Sequence, residues 1–513
     1  MEEINLIHIS PVSATFEILN DSPYRRDEFD VILNGNKVLE GETKNVFTLF
    51  NLKPNTKYTA QVLGKSFKFT TLAVNRIIDV CEHGVKPDGK TNNKEAIQKI
   101  LDECDHDLIV FKKGTYYTSP LQIRSNTYIY IQEDAEILAS NDRADYPIIK
   151  AIEVKDGKEL VAASWEGEPN DSFMSVITAV DAENIMIVGE GTINGNADNA
   201  DWWIDCKTMR GAWRPNNIFT NRCKNFDMIG LNVVNSACWN IHPFYSDNLN
   251  FINLYVKSVY TSPNTDGIDP ESCDNVNIIG DRICVGDDCI AIKSGKYIMS
   301  EKWYKPCSNI VIRNCYMGDG HGAIVFGSES SCGIIGCDVS RCIFEHTDRG
   351  FRIKTKRGRG KKAIVENVSF DNIYMHDVKN ALVVNMYYYL SFEPFVEEDN
   401  TKEYVEVNDM TPHLGSFKFK NMKCLNTKIS AGYFYGLPES KIDEIDIENI
   451  EITYDKGYKH HEEPAMIYEV EKLNKAGFYF YNVEKVNLKN IKIKGQNGEV
   501  INAFNCDEIN SLD

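Results

Sequence analysis

The stretch "SDNLNFINLYVKS", residues 246–258, decides the fold of this chain because its pattern recurs. A polar residue and an asparagine come first, alternating apolar residues follow, and a second short strand ends the unit. Variants of this unit are "CKNFDMIGLNVVNS" (223–236), "CDNVNIIGDRICVG" (273–286), "CSNIVIRNCYMGD" (307–319), "VENVSFDNIYMHD" (365–377) and "VEKVNLKNIKIKG" (483–495). Through the middle of the chain, successive units begin 23 to 34 residues apart, except for a less regular coil near Cys332.

The repeat predicts an all-β fold, a right-handed parallel β-helix. Short strands recur without intervening helices, and each coil can bury its apolar face only against the next coil. We expect the recurring asparagines to be aligned and to hydrogen-bond along the stack. A leucine-rich repeat would need leucine at set positions, which the units lack. Such a solenoid presents an elongated groove, a shape suited to a polymer.

Residues 1–74 predict a separate, small β-sandwich. The segments "ATFEILN", "FDVILNG", "KYTAQVLG" and "SFKFTTL" alternate polar and apolar residues and are separated by turn residues. "LKPNTKY" (Leu52 to Tyr58) resembles the fibronectin type III pattern that leads into a tyrosine corner. We interpret this domain as a spacer or docking module without chemistry, and assign residues 75–513 to the β-helix. One helix is predicted in "TNNKEAIQKILDEC", with Thr91 or Asn92 as its cap.

Composition limits the possible functions. The chain has 513 residues, 42% of them hydrophobic, and no apolar run of the length that spans a membrane. Its acidic start and fifteen cysteines without a CxxC pair predict a cytoplasmic protein with reduced thiols and no signal peptide. The spacing of Cys332, Cys337 and Cys342 fits no zinc pattern, which favours buried thiols. A net charge of −19 argues against nucleic acid as the main partner. We expect no membrane partner, and the oligomeric state stays open.

Three stretches in consecutive coils carry candidate chemistry. They are "SPNTDGIDP" (262–270) with Asn264 and Asp266, "VGDDCIAIKSG" (285–295) with Asp287, Asp288 and Lys293, and "GDGHGAIVFGSE" (318–329) with His321. Two adjacent carboxylates that face one ligand repel each other, which leaves one acid and one base near neutral pH. Glycoside hydrolysis requires such a pair on either side of the glycosidic bond. A pair of adjacent aspartates alone also describes a solvated turn.

The order of the motifs is more specific than any one of them. NTD, G-DD, GHG and RIK, in this order on a β-helix, resemble the four signature segments of the polygalacturonases, glycoside hydrolase family 28. The resemblance extends over roughly residues 76 to 500 and includes "DVCEHGVKPDGKTNNKEAIQKIL" and "VFKKGTYYTSPLQIRSNTYIYI" near the start of the β-helix. It implies a pectin-lyase-like solenoid that hydrolyses α-1,4-galacturonosyl linkages, with no cofactor and no metal.

The resemblance also implies roles for single residues. Asp287 would be the general acid, and Asp266 and Asp288 would hold and deprotonate the attacking water. His321 would hydrogen-bond within this cluster and tune its protonation. The reaction would invert the anomeric configuration if a water fits between the carboxyl groups, which needs separations of roughly 6.5–9.5 Å.

A basic stretch follows the GHG motif. "RGFRIKTKRGRGKK" (349–362) has eight basic residues and no acidic one. Arg352 and Lys354 lie two apart on a strand and therefore share a face, from which both reach one sugar carboxylate. The resemblance gives this pair that role beside the scissile bond. We expect Arg357 and Arg359 to extend a basic rim, and the last two lysines of the stretch to be solvated.

Other predicted substrate-binding residues are Asn264, Lys293, His242, Arg214, Tyr387 and Tyr389. Lys293 is expected to face the groove. His242 and Arg214 sit where bacterial members of the family have equivalents, although packing explains each equally well. Tyr387 and Tyr389 would share one face of a strand, near a substrate tyrosine of the family.

Two departures from simple family members favour exo action. The insertion "KYIMSEKWYKP" (296–306) and the N-terminal domain resemble bacterial exo-acting members, in which loops close one end of the groove. Trp202, Trp203 and Trp213 lie in another insertion that either walls off the groove or packs. Keeping both the GHG and RIK motifs favours a homogalacturonan substrate over rhamnogalacturonan.

Four alternatives remain at this point. A pectate lyase on the same fold would need a calcium site and an arginine base. The enzyme could instead hydrolyse a substituted pectin, either rhamnogalacturonan or xylogalacturonan. A non-catalytic carbohydrate-binding β-helix would not need the intact set of aspartates. A nucleic-acid binder has only the basic stretch in its favour and lacks a distributed positive surface.

Overall fold

The computed structural model describes residues 2–22, 27–391 and 394–512. The predicted domain limits at Met1 and Asp513 therefore lie outside the described residues. No helix in these ranges is long and apolar enough to cross a membrane. All fifteen cysteines are free, and Cys332, Cys337 and Cys342 are buried, in agreement with their interpretation as core residues.

The N-terminal region forms two small antiparallel sheets, of three and four strands. Their strands are Glu3–Ile9, Ala14–Leu19, Phe29–Leu33, Asn36–Glu42, Val46–Leu49, Lys57–Val62 and Lys65–Thr70. Phe16 and Phe47 stack in the core between them, with ring centroids 5.5 Å apart. The Tyr58 hydroxyl accepts a hydrogen bond of 2.8 Å from the backbone N–H of Lys53.

The rest of the chain is a parallel β-helix. A long sheet of 22 strands runs its full length. The strands are Ile77–Asp79, Asp107–Phe111, Gly114–Thr118, Thr127–Ile131, Ala135–Ala139, Glu183–Gly189, Thr192–Asn194, Lys224–Ile229, Asn232–Val234, Asp247–Ile252, Tyr255–Lys257, Asp274–Ile279, Arg282–Cys284, Cys307–Arg313, Tyr316–Gly318, Ile334–Glu345, Ile364–His376, His413–Leu414, Ser416–Thr427, Ile442–Tyr454, Val483–Lys494 and Glu508–Leu512. Apolar side chains of successive coils meet inside it in one continuous core.

A second series of parallel strands, here called the site sheet, carries the candidate residues. Its strands are Leu121–Ile123, Ile177–Val180, Ile218–Asn221, Ile241–Phe244, Ile290–Ile292, Ile324–Gly327, Arg349–Lys354, Asn380–Asn385, Ser430–Tyr435, Ala476–Tyr481 and Asn497–Phe504. Bridges at Ile268 and Glu271 join its two parts. Ala291 pairs with Val325, which pairs with Arg352, so residues far apart in sequence lie one strand spacing apart.

Short antiparallel strand pairs and short helices lie in the connections between the coil strands. Three hairpins pair Ile148–Ile149 with Ser172–Phe173, Ile152–Lys155 with Lys158–Val161, and Ser164–Trp165 with Glu168–Pro169. The helices are Lys94–Asp102, Tyr297–Lys302 and Glu397–Asn400, and the 3-10 turns are Val80–His83, Arg143–Asp145 and Ala197–Asn199. The first helix is the predicted one. The predicted cap is wrong, because the N-cap position is occupied by Asn93, whose side chain makes no capping bond. The Asn92 side chain accepts from the backbone N–H of Lys94, and Thr91 bonds to Asp88.

The predicted asparagine ladder is confirmed. Asn126, Asn184, Asn225, Asn248 and Asn275 donate to one another in sequence, with N–O distances of 2.9–3.0 Å. Each has a positive φ of 56–58°, a conformation that asparagine tolerates better than most residues. The asparagines therefore allow the chain to turn in each coil and also hydrogen-bond one coil to the next.

A buried carboxylate attaches the N-terminal sheets to the β-helix. Glu17 is 2% exposed and accepts bonds of 2.7 and 3.0 Å from the Arg313 guanidinium. The Asn314 amide donates to the same carboxylate at 2.7 Å, and Arg341 lies 3.4 Å away. Bidentate arginine contacts of this kind are strong and directional.

We expect Glu17→Ala to destabilise the protein by about 2–4 kcal/mol, because it leaves a partly buried guanidinium and an amide without their acceptor. Urea unfolding with a probe in each region measures the change. Glu40→Ala removes an acid whose side chain is 80% exposed and is the matched control. Equal stability of the two variants would contradict this role for Glu17.

Candidate active site

A cavity of about 370 Å³ opens on the site sheet, where the four motifs meet. Its lining includes six acidic residues, Glu166, Asp266, Asp287, Asp288, Glu329 and Asp348. Six cationic residues also line it, Lys207, Lys293, Lys296, Arg349, Arg352 and Lys354. The predicted Asn264 and His321 lie in the same wall, with Trp239, Tyr388 and Met466. The cavity therefore suits a ligand that carries several carboxylates and hydroxyls.

Close packing between coils places the carboxylates. A Cβ on Gly267, next to Asp266, would lie 2.3 Å from the carbonyl oxygen of Cys289 in the following coil. A Cβ on Gly286, just before Asp287, would lie 2.6 Å from two backbone oxygens. Glycine at these positions lets the two coils approach closely enough to bring their aspartates together.

The closest oxygens of Asp266, Asp287 and Asp288 all lie within 4.8 Å of one another. This is shorter than the separation of roughly 6.5–9.5 Å expected for carboxyl groups that flank a water. The carboxylate spacing therefore does not by itself indicate inversion.

The pKa values of Asp287 and Asp288 are shifted in opposite directions. Burial, together with the charge of Asp288, raises the pKa of Asp287. Burial also opposes ionisation of Asp288, but Lys354 and Arg352 outweigh it and lower the pKa of Asp288 to about 2. Lys354 Nζ donates to Asp288 Oδ2 at 2.7 Å, while Oδ1 has no hydrogen-bond partner among the described residues. The pair thus combines an ionised carboxylate, Asp288, with a carboxyl group that holds its proton more strongly, Asp287.

Asp266 differs from both. Burial raises its pKa well above the usual range, and the charges of Asp269 and Asp287 raise it further. Asp269, which the sequence analysis did not single out, is completely buried behind it.

Lys293 lies among carboxylates instead of reaching freely into the groove. Its side chain is 4% exposed, and its Nζ lies 3.7 Å from Asp266 Oδ2, 3.7 Å from Asp269 Oδ1 and 3.5 Å from Glu329 Oε2. The ammonium also lies 4.5 Å from the ring centroid of Trp239. Burial alone would lower the pKa of Lys293, but these carboxylates raise it well above its ordinary value. Lys293 thus lines the cavity, as predicted, and also forms ion pairs with three buried carboxylates.

His321 is the most exposed of the predicted catalytic residues, with 48% of its side chain accessible. Its Nδ1 lies 3.1 Å from Asp348 Oδ2, and this hydrogen bond raises the pKa of His321 against the effect of burial. The backbone N–H of His321 donates to the carbonyl oxygen of Asp287 at 3.0 Å. His321 is thereby tied to the aspartate cluster through its backbone and to Asp348 through its ring.

The basic stretch divides into three parts. Arg352 and Lys354 line the cavity together, as predicted, although Lys354 is already bonded to Asp288. The expected basic rim is wrong, because Arg357 is buried in a bidentate pair with Glu439 at 2.6 and 3.0 Å. Arg359 is also buried away from the cavity lining. The two final lysines form ion pairs on the surface, Lys361 with Asp409 and Lys362 with Glu301.

Two other predicted substrate residues lie behind the cavity wall. Arg214 donates to the carbonyl oxygens of Ala237 and Pro263 and to the Asn264 side chain, all at 2.7–2.8 Å. His242 is 1% exposed and bonds to Glu271 Oε2 at 2.9 Å. The prediction of direct substrate contact is corrected for both, since they position the wall.

The tyrosine prediction is wrong by one residue. Tyr387 is completely buried, and Tyr389 packs against Phe395 and Tyr468 outside the cavity. Tyr388, between them, lines the cavity, with its ring 6.0 Å from the Arg352 guanidinium carbon. The regular strand ends at Asn385, so strand alternation did not apply at these positions.

A hairpin forms one wall of the cavity. Trp165 stacks between Trp213 and Trp239, with centroid distances of 4.5 and 6.2 Å and nearly parallel rings. At the hairpin tip, the Gly167 carbonyl accepts from the Lys296 N–H at 2.8 Å, and Glu166 lines the cavity. Of the three predicted tryptophans only Trp213 belongs to this stack. Trp202 and Trp203 belong to a separate cluster with Tyr146 and Phe173.

By distance alone, the three aspartates could also surround one divalent cation. The ammonium groups of Lys354 and Lys293 already lie 2.7 Å from Asp288 and 3.7 Å from Asp266. A cation would be repelled by both, so the charges favour proton transfer at this cluster.

Several lining residues were missed in the sequence analysis. Asp348 directly precedes the basic stretch and Glu329 ends the GHG stretch, so both lay beside recognised motifs. Trp239, Glu166 and Lys207 come from segments that only the coil stacking and the hairpin bring near.

Comparisons with known proteins show the family to which the chain belongs. A model of the family described as glycosyl hydrolases family 28 matches residues 150–472. The chain is 30% identical over 282 residues to a probable polygalacturonase of Vitis vinifera, covering 53% of this chain and 56% of that protein. An exopolygalacturonase of Arabidopsis thaliana is 30% identical over 322 residues, covering 61% and 67%. The chain thus spans little more than half of the Vitis protein.

Among solved structures, a family 28 exopolygalacturonase of Yersinia enterocolitica superposes with a TM-score of 0.65. The match covers 99% of this chain and 98% of that one at 19% identity, and at this identity it shows the fold alone.

Proposed function

The chain belongs to glycosyl hydrolases family 28, and we propose that it hydrolyses α-1,4-galacturonosyl linkages of polygalacturonate or its oligomers. The observation that carries the proposal is the pair Asp287 and Asp288, an acid and an ionised carboxylate, beside Arg352 in one cavity. Two carboxyl groups in opposite protonation states match the requirement of glycoside hydrolysis. The matched relatives are named polygalacturonases, which supports this substrate.

Asp287 is the general acid in this proposal. Burial and the charge of Asp288 raise its pKa, which favours the protonated carboxyl group that the departing glycosidic oxygen requires. The backbone N–H of His321 donates to the carbonyl oxygen of Asp287, and the charge of the His321 ring acts against burial by lowering the pKa of Asp287.

Asp288 and Asp266 hold the attacking water. Asp288 Oδ1 is buried without a partner among the described residues, so it is available to accept a hydrogen bond from that water. Direct attack would invert the anomeric configuration, and we keep inversion as part of the proposal.

The cations explain how a polyanion enters a cavity with six acids. Among the residues that the structure describes, Arg352, Arg349 and Lys296 have no carboxylate oxygen in an ion pair closer than 3.5 Å, in contrast with Lys354. We assign to them the carboxylates of the sugars on either side of the scissile bond, because guanidinium groups bind carboxylates with two parallel hydrogen bonds.

Exo action is the finer part of the proposal. The hairpin around Gly167 lies against the cavity, where a Cβ on this residue would lie 2.6 Å from Glu329 Cγ. The hairpin is thus in direct packing contact with the cavity lining, and in this proposal it closes one end of the groove. The names of the Arabidopsis and Yersinia proteins agree with this mode.

Two further proposals concern the whole chain. The seven N-terminal strands and the Tyr58 hydrogen bond support a fibronectin type III-like domain. The free, mostly buried cysteines support a reducing, cytoplasmic location.

We expect the purified protein to release saturated mono- or digalacturonate stepwise from defined oligogalacturonates, as seen by chromatography. Asp287→Asn should lower kcat by a factor of about 10²–10⁴, because the leaving oxygen then departs without its proton donor. Asp409→Asn, at an exposed aspartate paired with Lys361, is the control. Proton NMR of the first product reports its anomeric configuration.

Each other result points to a different function. Rising ultraviolet absorbance that is abolished by EDTA would indicate a calcium-dependent lyase. Turnover of rhamnogalacturonan or xylogalacturonan alone would indicate a hydrolase of substituted pectin, and binding without turnover would indicate a carbohydrate-binding β-helix.

The hairpin wall generates a second prediction. Replacing residues 165–168 by Asn-Gly keeps a tight turn but removes the middle tryptophan and Glu166 from the wall. We expect products of intermediate length to appear from long polygalacturonate. The same replacement at residues 155–158, in the neighbouring exposed hairpin, is the matched control. Unchanged stepwise release in the first variant would contradict the role of the wall.

A further inference from the structure

Asp269 is a buried acid that the proposed reaction does not use. It follows Asp266 by three residues and is completely inaccessible. Neither of its carboxylate oxygens has a hydrogen-bond donor among the described residues. An ionised carboxylate in this position would be desolvated without compensation, which costs several kcal/mol. The residue therefore needs an explanation.

The cation that forms an ion pair with Asp269 is the ammonium group of Lys293. It lies 3.7 Å from Asp269 Oδ1 and 3.7 Å from Asp266 Oδ2. Charge-assisted hydrogen bonds between nitrogen and oxygen are shorter, about 2.7–2.9 Å. The ammonium is thus shared between the two aspartates and Glu329 and fully satisfies none of them.

Counting the charges shows an excess of negative groups. Glu329 is ionised, with a pKa of about 2, because Lys293 and Lys354 overcome its burial. Asp288 is ionised beside Lys354. Asp266 and Asp269 are left to share what remains of one ammonium, and the charge of Asp288 also disfavours their ionisation. Two fully buried carboxylates with less than one counter-charge cannot both stay ionised.

The two carboxyl groups also face the same ammonium, since Asp266 Oδ2 and Asp269 Oδ1 each lie 3.7 Å from Lys293 Nζ. Hydrogen bonding with Asp266 lowers the pKa of Asp269 against the effect of burial. As ionised groups both would be acceptors, and no bond would form. A single proton between them supplies the missing donor and removes the excess charge.

We propose that Asp266 and Asp269 hold one proton between them, fixed in place by Lys293, and that Asp269 carries it while Asp266 serves as base. Asp269 is then a positioning residue, since it acts through Asp266 and does not touch the substrate. The inference about the shared proton stands on the geometry, and its consequence for the reaction rests on the proposed function.

The protons balance over one turnover. Water oxygen bonds to the anomeric carbon as the glycosidic C–O bond breaks, and Asp287 gives its proton to the departing oxygen. The proton of the attacking water passes to Asp266, which is ionised at that moment because Asp269 holds the shared proton. After product release, Asp266 loses one proton to solvent and Asp287 regains one, which restores the starting state.

The shared proton is tested without substrate, by infrared spectroscopy of the full-length protein at neutral pH. We expect a protonated-carboxyl C=O band in the wild type that is lost in Asp269→Asn and in Asp266→Asn. Difference spectra between variants separate this band from those of other buried acids, such as Asp281. Absence of the band from the wild type, or its persistence in both variants, overturns the proposal. This measurement is independent of any failure of the proposed function.

The position of the proton is tested by two substitutions at Asp269. The Asn side chain has the same shape and can donate to Asp266, as a protonated Asp269 would, whereas Leu has no donor. We expect Asp269→Asn to lower kcat no more than about fivefold and Asp269→Leu to lower it at least about 100-fold. The acidic limb of the pH–rate profile should move to higher pH in Asp269→Leu, because Asp266 loses its donor. Equal losses in both variants would contradict the proposal, since an ionised Asp269 would be replaced equally badly by either.

Lys293→Met provides a second readout if Asp269→Leu does not fold. Removing the ammonium raises the pKa of Asp266, so we expect the acidic limb to move to higher pH. An unmoved limb in a folded variant, judged by its thermal midpoint, would overturn the role of Lys293.

Discussion

The hydrogen bonds between successive coils are the constraint on which this structure depends. Parallel pairing in register places Ala291, Val325 and Arg352 side by side on the site sheet, although the chain makes a full coil between each of them. Residues just before these strands are brought together by the same pairing. The cluster of three aspartates is thus a consequence of the stacking of coils. Glycines permit it at the positions where a Cβ atom would clash with the backbone of the neighbouring coil.

Several carboxylates in one place repel one another, which destabilises their ionised forms. Lysines offset this repulsion by forming ion pairs with them. Lys354 compensates Asp288, while Lys293 is divided among three carboxylates. This unequal distribution gives the acids different pKa values, as glycoside hydrolysis needs. Three other cations of the cavity, Arg349, Arg352 and Lys296, make it attractive to a polyanion.

The sequence allowed the β-helix, the asparagine ladder and the meeting of the four motifs to be predicted, because each depends on a local repeat or a short motif. It did not allow Tyr388 to be chosen over its neighbours, because strand alternation stops at Asn385. Arg357 was misplaced because its partner, Glu439, lies far away in sequence. The hairpin wall was missed for a similar reason, since a stack of tryptophans from three segments fixes it.

The proposed reaction depends on Lys354, which lowers the pKa of Asp288 while that of Asp287 stays raised. The most direct test is the pH dependence of kcat/KM on oligogalacturonate for Lys354→Met, with Lys361→Met from the same basic stretch as control. Lys354 lowers the pKa of Asp288, so its removal raises that pKa, and the ionised form appears only at higher pH. The account predicts that the acidic limb moves to higher pH in Lys354→Met alone. A limb at its original pH, with a change confined to KM, would contradict it.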